Sequence, residues 1–262
     1  MDRNLPIGIL DSGVGGLTAL SPMQKLLPDE SVIYFGDSLR MPYGNRPKEE
    51  IVFYAQKMID YLQDKGVKAI LLACNTISSH IDSLHSDVKL FSIVEAGCMA
   101  AKETVKNSSL GIIATCATVE SGVYEKMMAK TCPEITLTLN SSKSLPKVID
   151  SQIENTVLLN EKIRECIDPI IREDSAIKDL ILGCSHFPII SEEINSIYPS
   201  LHLIDPAVKQ VEMLKEYLTQ NDLTNLSKRT ITLYTTAETY EFAAAIKRLK
   251  LEIDTLMKVE LV

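Results

Sequence analysis

Long apolar runs are missing from this 262-residue chain: the longest, such as Ala69 to Cys74, extend for about six residues. A bilayer-spanning helix needs ~20, so no membrane partner is expected. Positive charge is in deficit, with 27 Lys and Arg against 35 Asp and Glu and a formal net charge of −8. A nucleic-acid binder needs a basic face, and this balance works against one. No Cys-x-x-Cys pair and no His-x-x-x-His spacing occurs among the 6 cysteines and 4 histidines, so a metal site has little support. A phosphate-cradling P-loop is absent too. The start of the sequence is polar and lacks the pattern of an export signal. The cysteines then read as reduced thiols rather than a disulfide framework, and a cytoplasmic location is the expectation.

What is present is ordinary globular composition, 45% hydrophobic and 24% charged. Short apolar runs alternate with longer amphipathic ones, the α/β pattern of mostly parallel sheets flanked by helices. Strands are predicted at Pro6–Leu10, Val32–Phe35, Ala69–Ala73, Leu90–Val94, Leu110–Ala114, Ile135–Leu139, Leu180–Leu182, His202–Ile204 and Thr230–Tyr234. Several are continuously apolar, as strands covered on both faces are. Ile51, Ala55, Met58, Ile59 and Leu62 fall on one helical face, with Gly66 placed to end the helix. Leu158, Leu159, Ile163, Cys166, Ile167 and Ile170 mark a second helix. Met213, Leu214 and Leu218, then Phe242, Ala243, Ile246 and Leu249, mark two more.

The chain carries a weak internal repeat. The run from Lys68 to Cys74, followed by Asn75 and Thr76, recurs from Lys178 to Cys184, followed by Ser185 and His186, an offset of 110 residues. The strands near Ile7 and Val32 recur near Leu110 and Ile135 at an offset of 103. Three strands in one order at nearly one offset point to two related halves.

Ligands in open α/β sheets bind beyond the carboxyl ends of the strands. Those ends hold Asp11, Ser12 and Gly13 through Gly16; Gly36, Asp37 and Ser38; Cys74, Asn75 and Thr76; Thr115; Asn140, Ser141 and Ser142; and Cys184, Ser185 and His186. Hydroxyl and amide groups dominate and no Arg or Lys stands directly at an end. Such a surface suits a small carboxylate held by N–H groups and hydroxyls. Gly13, Gly15 and Gly16 lack the Gly-x-Gly-x-x-Gly spacing of a dinucleotide site, although Asp37 follows at about the distance of a ribose-binding acid. A tight strand-to-helix turn is the simpler reading.

A cysteine at a strand end is ordinarily a small buried hydrophobe, and Cys98, Cys116, Cys132 and Cys166 are read that way. Cys74 and Cys184 differ, because they end equivalent strands and each is followed by two hydrogen-bonding residues. If the halves face one another, the two thiols approach one substrate from opposite sides. Inverting a centre that bears an acidic C–H needs a base on one face and an acid on the other, and thiols can serve as both. Asp11 and His186 lie beside them in this scheme. His80, His85 and His202 are assigned to the helix surface or core edge, and Glu49–Glu50 and Glu192–Glu193 to solvated helix faces.

These residues carry a resemblance. Ile9 through Leu17, Tyr34 through Ser38 with Pro42, Tyr43 and Gly44, Ala73 through Thr76, and Gly183 through Pro188 resemble, in order and spacing, the cofactor-independent glutamate racemases of the aspartate/glutamate racemase superfamily. The resemblance runs from near the N-terminus to about residue 245. It implies two pseudo-symmetric α/β domains, 1–96 plus 207–262 and 97–206, with an amino-acid substrate in the cleft between them and no cofactor. It implies Cys74 and Cys184 as the paired acid/base thiols, with Asp11 and His186 as auxiliaries. Asp11, Ser12, Pro42, Tyr43, Gly44, Asn75, Thr76, Thr118, Ser185 and His186 would bind substrate. A homodimer and a role in supplying D-glutamate for peptidoglycan belong to the same expectation.

The sequence departs from that pattern in places. Ile77 stands for the usual Ala, Ser185 for Thr, Phe187 for Tyr and Ala96 for Pro. The segment Asn140–Asp150 replaces a Cys-Pro and an apolar run ending in Glu, with Asp150 at or next to the place of that acid. An aspartate racemase or related isomerase, and a non-catalytic amino-acid-binding paralogue, remain alternatives to a glutamate racemase.

Overall fold

Ile7, Ile9 and Leu10 are wholly buried, and the strand they form, β1 (Ile7–Asp11), lies inside a parallel sheet. In the computed structural model, which describes residues 2–106 and 108–261, the first sheet also holds β2 (Val32–Gly36), β3 (Ala69–Leu72), β4 (Lys89–Ser92), β9 (Ile231–Thr235) and β10 (Thr255–Lys258). Its order is β10-β9-β2-β1-β3-β4. The second sheet holds β5 (Ser109–Ala114), β6 (Thr136–Ser141), β7 (Asp179–Gly183) and β8 (His202–Ile204), in the order β6-β5-β7-β8. All recorded pairings are parallel. The order β2-β1-β3-β4 thus recurs as β6-β5-β7-β8, as the sequence offsets predict. Met1, Asn107 and Val262, which fall within the expected domain ranges, lie outside the described residues.

The helices cover the sheets as their periodicity requires. Lys48–Asp64 buries the predicted stripe of Ile51, Ala55, Met58, Ile59 and Leu62, while Glu49 and Glu50 stay exposed in its first turn, where the helix dipole favours acid. It ends as expected at Gly66, whose φ of 76° is the left-handed conformation that glycine adopts cheaply. Thr156–Glu173 is capped by Asn155 and buries Leu159, Ile163, Cys166, Ile167 and Ile170. Helices Ile93–Thr104 and Pro206–Gln220 pack on each other, and residues of both join β1, β5 and β7 in one apolar cluster. The chain passes between the sheets through this region. Among the described residues, no helix is long and apolar enough to cross a membrane.

Several local expectations need correction. The fourth strand stops at Ser92 rather than Val94, because the Ser92 hydroxyl accepts the Glu95 N–H and starts a helix at Ile93. Ala243 is exposed; the helix Thr239–Leu249 buries Phe242 and partly buries Ala245, Ile246 and Leu249. Cys98, Cys132 and Cys166 are buried, but Cys116 is only half-buried. His202 heads β8, exposed, with Nδ1 2.9 Å from Asp179. β10 was not predicted.

At the N-terminal end of β3, Lys68 is wholly buried. Its ammonium pairs with Glu30 at 2.6 Å and donates to the Arg3 and Leu223 carbonyls. Glu30 in turn accepts the Asn225 N–H. This network ties the returning C-terminal segment to β2 and β3, and removing one partner of such a buried pair costs about 3–5 kcal/mol.

Candidate active site

The C-terminal strand ends of the two sheets meet. Asp11, the last residue of β1, is fully buried; its Oδ1 accepts the Gly13 N–H at 2.8 Å and its Oδ2 accepts the Ser185 hydroxyl at 2.9 Å from the other half. Burial raises the Asp11 carboxyl, against the opposing charge of His186 and the donors Gly13, Ser185 and Gly16. A side chain at Gly15 would put its Cβ 2.6 Å from both Ser185 Oγ and His186 Nδ1. Only glycine lets the first sheet's turn approach the second sheet's strand end so closely. Thr18 completes the joint, donating to the Gly15 carbonyl at 2.9 Å and lying 3.2 Å from the Ser185 carbonyl.

Cys74 follows β3 and caps the short helix Asn75–Ser78. Its Sγ lies 3.6 Å from Ser12 Oγ. Burial first, and then the charge of Asp11, push its thiol up to about 12; the Ile77 N–H and Ser12 partly counter this. Cys184 follows β7, with Sγ 3.6 Å from His186 Nδ1. His186 Nε2 stands 3.1 Å from Asp150 Oδ1, within ion-pair range although not aligned as a hydrogen bond. Burial alone would lower this imidazole, but the Asp150 charge and the Cys184 contact hold it well above its usual value. Asp150 thus reaches His186 despite the altered Asn140–Asp150 segment.

These groups border one cavity of about 1010 Å³, at the upper end of the ~300–1,000 Å³ range of small-molecule sites. Ser12, Pro42, Tyr43, Gly44, Asn75, Thr76, Ser185 and His186 line it, together with Cys74 and Cys184. Two of the predicted residues stand behind the wall. Asp11 reaches it through Ser185. Thr118 belongs to a hydroxyl cluster, 2.9 Å from Thr115 Oγ1, which is itself 2.9 Å from Thr76 Oγ1. Asn140 is turned away, donating to the Glu165 and Cys166 carbonyls.

Asp37 has a structural task. Both of its oxygens are used: Oδ1 accepts from Arg40 at 2.8 Å and Thr236 at 2.6 Å, and Oδ2 accepts the Tyr43 hydroxyl at 2.6 Å. Fully buried with both oxygens engaged, it anchors the Pro42–Gly44 turn and is not presented to a ribose. This disposes of the dinucleotide alternative. Burial and the Asp37 charge push the Tyr43 hydroxyl strongly up, so it remains a donor.

Of the cavity's outer wall the sequence pattern points only to Asp150, at or next to the place of the family's Glu. Helix Leu145–Gln152 contributes Ile149 and Asp150, and helix Thr239–Leu249 contributes Tyr240 and Arg248. Lys143, Lys147 and Lys247 also line this outer part, so cations reach the cavity although none stands at a strand end. The amphipathic pattern of Leu145, Val148 and Ile149, all buried, was the available signal.

Comparison with known proteins shows the same family and fold. The family model described as Asp/Glu/Hydantoin racemase matches residues 19–214. Glutamate racemase 1 of Caldanaerobacter subterraneus is 39% identical over 234 residues, covering 85% of this chain and 84% of that protein. The crystal structure of a glutamate racemase isoform from Bacillus anthracis superposes with a TM-score of 0.92 at 28% identity, covering 99% of this chain and 98% of that one. That of Francisella tularensis glutamate racemase in complex with D-glutamate gives 0.89 at 33% identity, covering 99% and 98%.

Proposed function

The chain belongs to the Asp/Glu/Hydantoin racemase family, and from that premise we propose that it interconverts L- and D-glutamate by a two-base mechanism without a cofactor. The observation that carries the reading is that Cys74 and Cys184, from equivalent positions of two sheets, border one cavity, each with its own polar partner. In this reading one thiolate takes the Cα proton and the other thiol donates its proton to the opposite face. The reaction therefore leaves the two sulfurs with exchanged protonation states and no net proton change. The side chains of Ser12, Asn75 and Thr76 and the backbone N–H groups of Tyr43, Gly44 and Ser185 supply donors for the substrate's carboxylates, and His186, held charged by Asp150, donates its Nδ1–H toward the Cys184 thiolate and so supports that sulfur as a base. Asp11, behind the wall, is the charged neighbour on the Cys74 side, and Thr118 acts through Thr115 and Thr76. Glutamate is the substrate named for the relatives that match over most of the chain. Supply of D-glutamate for peptidoglycan, a cytoplasmic location and a homodimeric assembly belong to the same proposal.

The test is incubation of the purified protein with L- or D-glutamate in deuterium oxide with nothing added. Circular dichroism follows inversion and mass spectrometry follows exchange at Cα. Loss of optical activity with deuterium at Cα is expected from either enantiomer. Turnover of aspartate alone would replace the substrate, and no exchange with either amino acid would leave a binding protein.

A further inference from the structure

Tyr124 lies on helix Val123–Thr131, in the half of the chain that carries Cys184, and is fully buried. Its hydroxyl donates to Asn75 Oδ1 at 2.8 Å, across the boundary between the two sheets' segments. A buried hydroxyl proton needs an acceptor, and among the described residues no other acceptor is recorded for it. The amide must therefore turn Oδ1 toward Tyr124, which fixes an orientation that density or geometry alone leaves open. Asn75 Nδ2 has no partner among the described residues and is not among the buried unpartnered atoms, while Asn75 itself lines the cavity. The consequence is directional: Asn75 offers the cavity its amide N–H donors and keeps its oxygen on Tyr124.

We infer that Tyr124 is a positioning residue that locks the Asn75 amide with its NH₂ group facing the cavity, so that this site accepts a carboxylate and rejects a donor group there. The functional half of the inference rests on the reading of the cavity as an amino-acid site; the structural half does not. A freely turning amide would offer its oxygen to the ligand part of the time, and an oxygen facing a carboxylate repels it. The lock comes from the opposite half of the molecule, so it forms only when the two halves are packed together. Thr76, the next residue, is met from the same half by Thr115, 2.9 Å away.

The experiment compares wild type, Tyr124→Phe, Asn75→Ala and the double variant. In the unliganded protein, the Asn75 side-chain NH₂ resonance is identified by its loss in Asn75→Ala. In Tyr124→Phe it should shift and rotate faster; an unchanged signal in a folded variant overturns the lock, whatever the protein catalyses. With glutamate, Tyr124→Phe should raise KM about tenfold, the value of one buried hydrogen bond, with kcat changed less than about threefold. In the Asn75→Ala background, Tyr124→Phe should add no further rise in KM. An equal rise with and without the Asn75 amide would show that Tyr124 acts by some other route and overturn its role in binding. Failure of wild type to turn over glutamate counts against the proposed activity, and the amide resonance still decides the lock.

Discussion

Cys74 and Cys184 occupy matching places after β3 and β7, yet their surroundings carry opposite charge. Cys74 has the carboxylate of Asp11 as its main charged neighbour, and with burial this pushes its thiol up to about 12. Cys184 touches an imidazole that Asp150 holds in the charged state. The other ends of the same strands differ as well: Lys68 is buried in an ion pair with Glu30, whereas its counterpart Lys178 is exposed. A repeated strand order therefore fixes where the sulfurs stand and leaves their chemistry to the side chains that differ between the two copies, Asp11 in one and His186 in the other. The asymmetry suits a reaction in which one thiol must be a proton donor while the other is a base.

The largest effect should come from breaking the pair itself. Cys74→Ser and Cys184→Ser should each lower inversion by at least about 10³-fold, within the range of lost general acid–base catalysis. Each variant keeps one competent thiol, so each should still exchange the Cα proton of one enantiomer with solvent, and the two should keep opposite enantiomers. Deuterium uptake measured separately for L- and D-glutamate reads this directly. Uptake into the same enantiomer by both variants would mean that the sulfurs do not address opposite faces.

The next effect, on the order of ten- to a hundredfold in turnover, should come from removing each thiol's charged neighbour. In Asp11→Asn the like charge beside Cys74 is gone. Its thiolate then forms at lower pH, and the pH profile of Cys74 alkylation, followed by mass spectrometry, should move toward acid. In Asp150→Asn the charge that offsets burial at His186 is gone, so the imidazole should lose its proton at lower pH in an NMR titration. His186 in the wild type stays protonated above the usual histidine range, and the variant's titration should lie on the acid side of the wild type's. Movement of either group in the other direction would reverse the assignment of partners.

The strand ends were legible because each is a local pattern: an apolar run followed at once by small polar residues, as at Ala73–Thr76 and Gly183–His186. The stripe from Ile51 to Leu62 was legible for the same reason. What escaped depends on contacts between distant segments. Tyr124 reads as one residue of an unassigned amphipathic stretch until folding brings it to Asn75, 49 positions away. Asp37 resembled a ligand-binding acid because its partners Tyr43 and Thr236 are not adjacent in sequence. Ile93 and Val94 read as strand because they are apolar, although the local Ser92-x-x-Glu95 spacing that caps their helix is a signal the sequence carries. β10 escaped because it is an edge strand with Met257 and Lys258 exposed, so it lacks the apolar continuity that marked the others.

The smallest expected effect tests the seam between the halves. Ser185 is the residue through which the second sheet reaches Asp11, and the related enzymes that the sequence resembles usually have Thr there. Ser185→Thr keeps the hydroxyl that donates to Asp11 Oδ2 at 2.9 Å. Its added methyl cannot enter the side toward Gly15, where the contact is already close, but Ser185 also lines the cavity, and the methyl can face that space. Turnover should therefore change by less than about threefold, under about 1 kcal/mol in the barrier. Ser185→Ala instead takes a donor from a buried carboxylate, a loss of about 1.5–3 kcal/mol for a hydrogen bond to a charged group. It should raise the Asp11 carboxyl further, since the Ser185 bond is one of the contacts that lower it, and cost at least about tenfold in rate. If Thr proves as damaging as Ala, the contribution of Ser185 is the room it leaves beside Gly15, and the hydrogen bond that joins the two halves is incidental to the reaction.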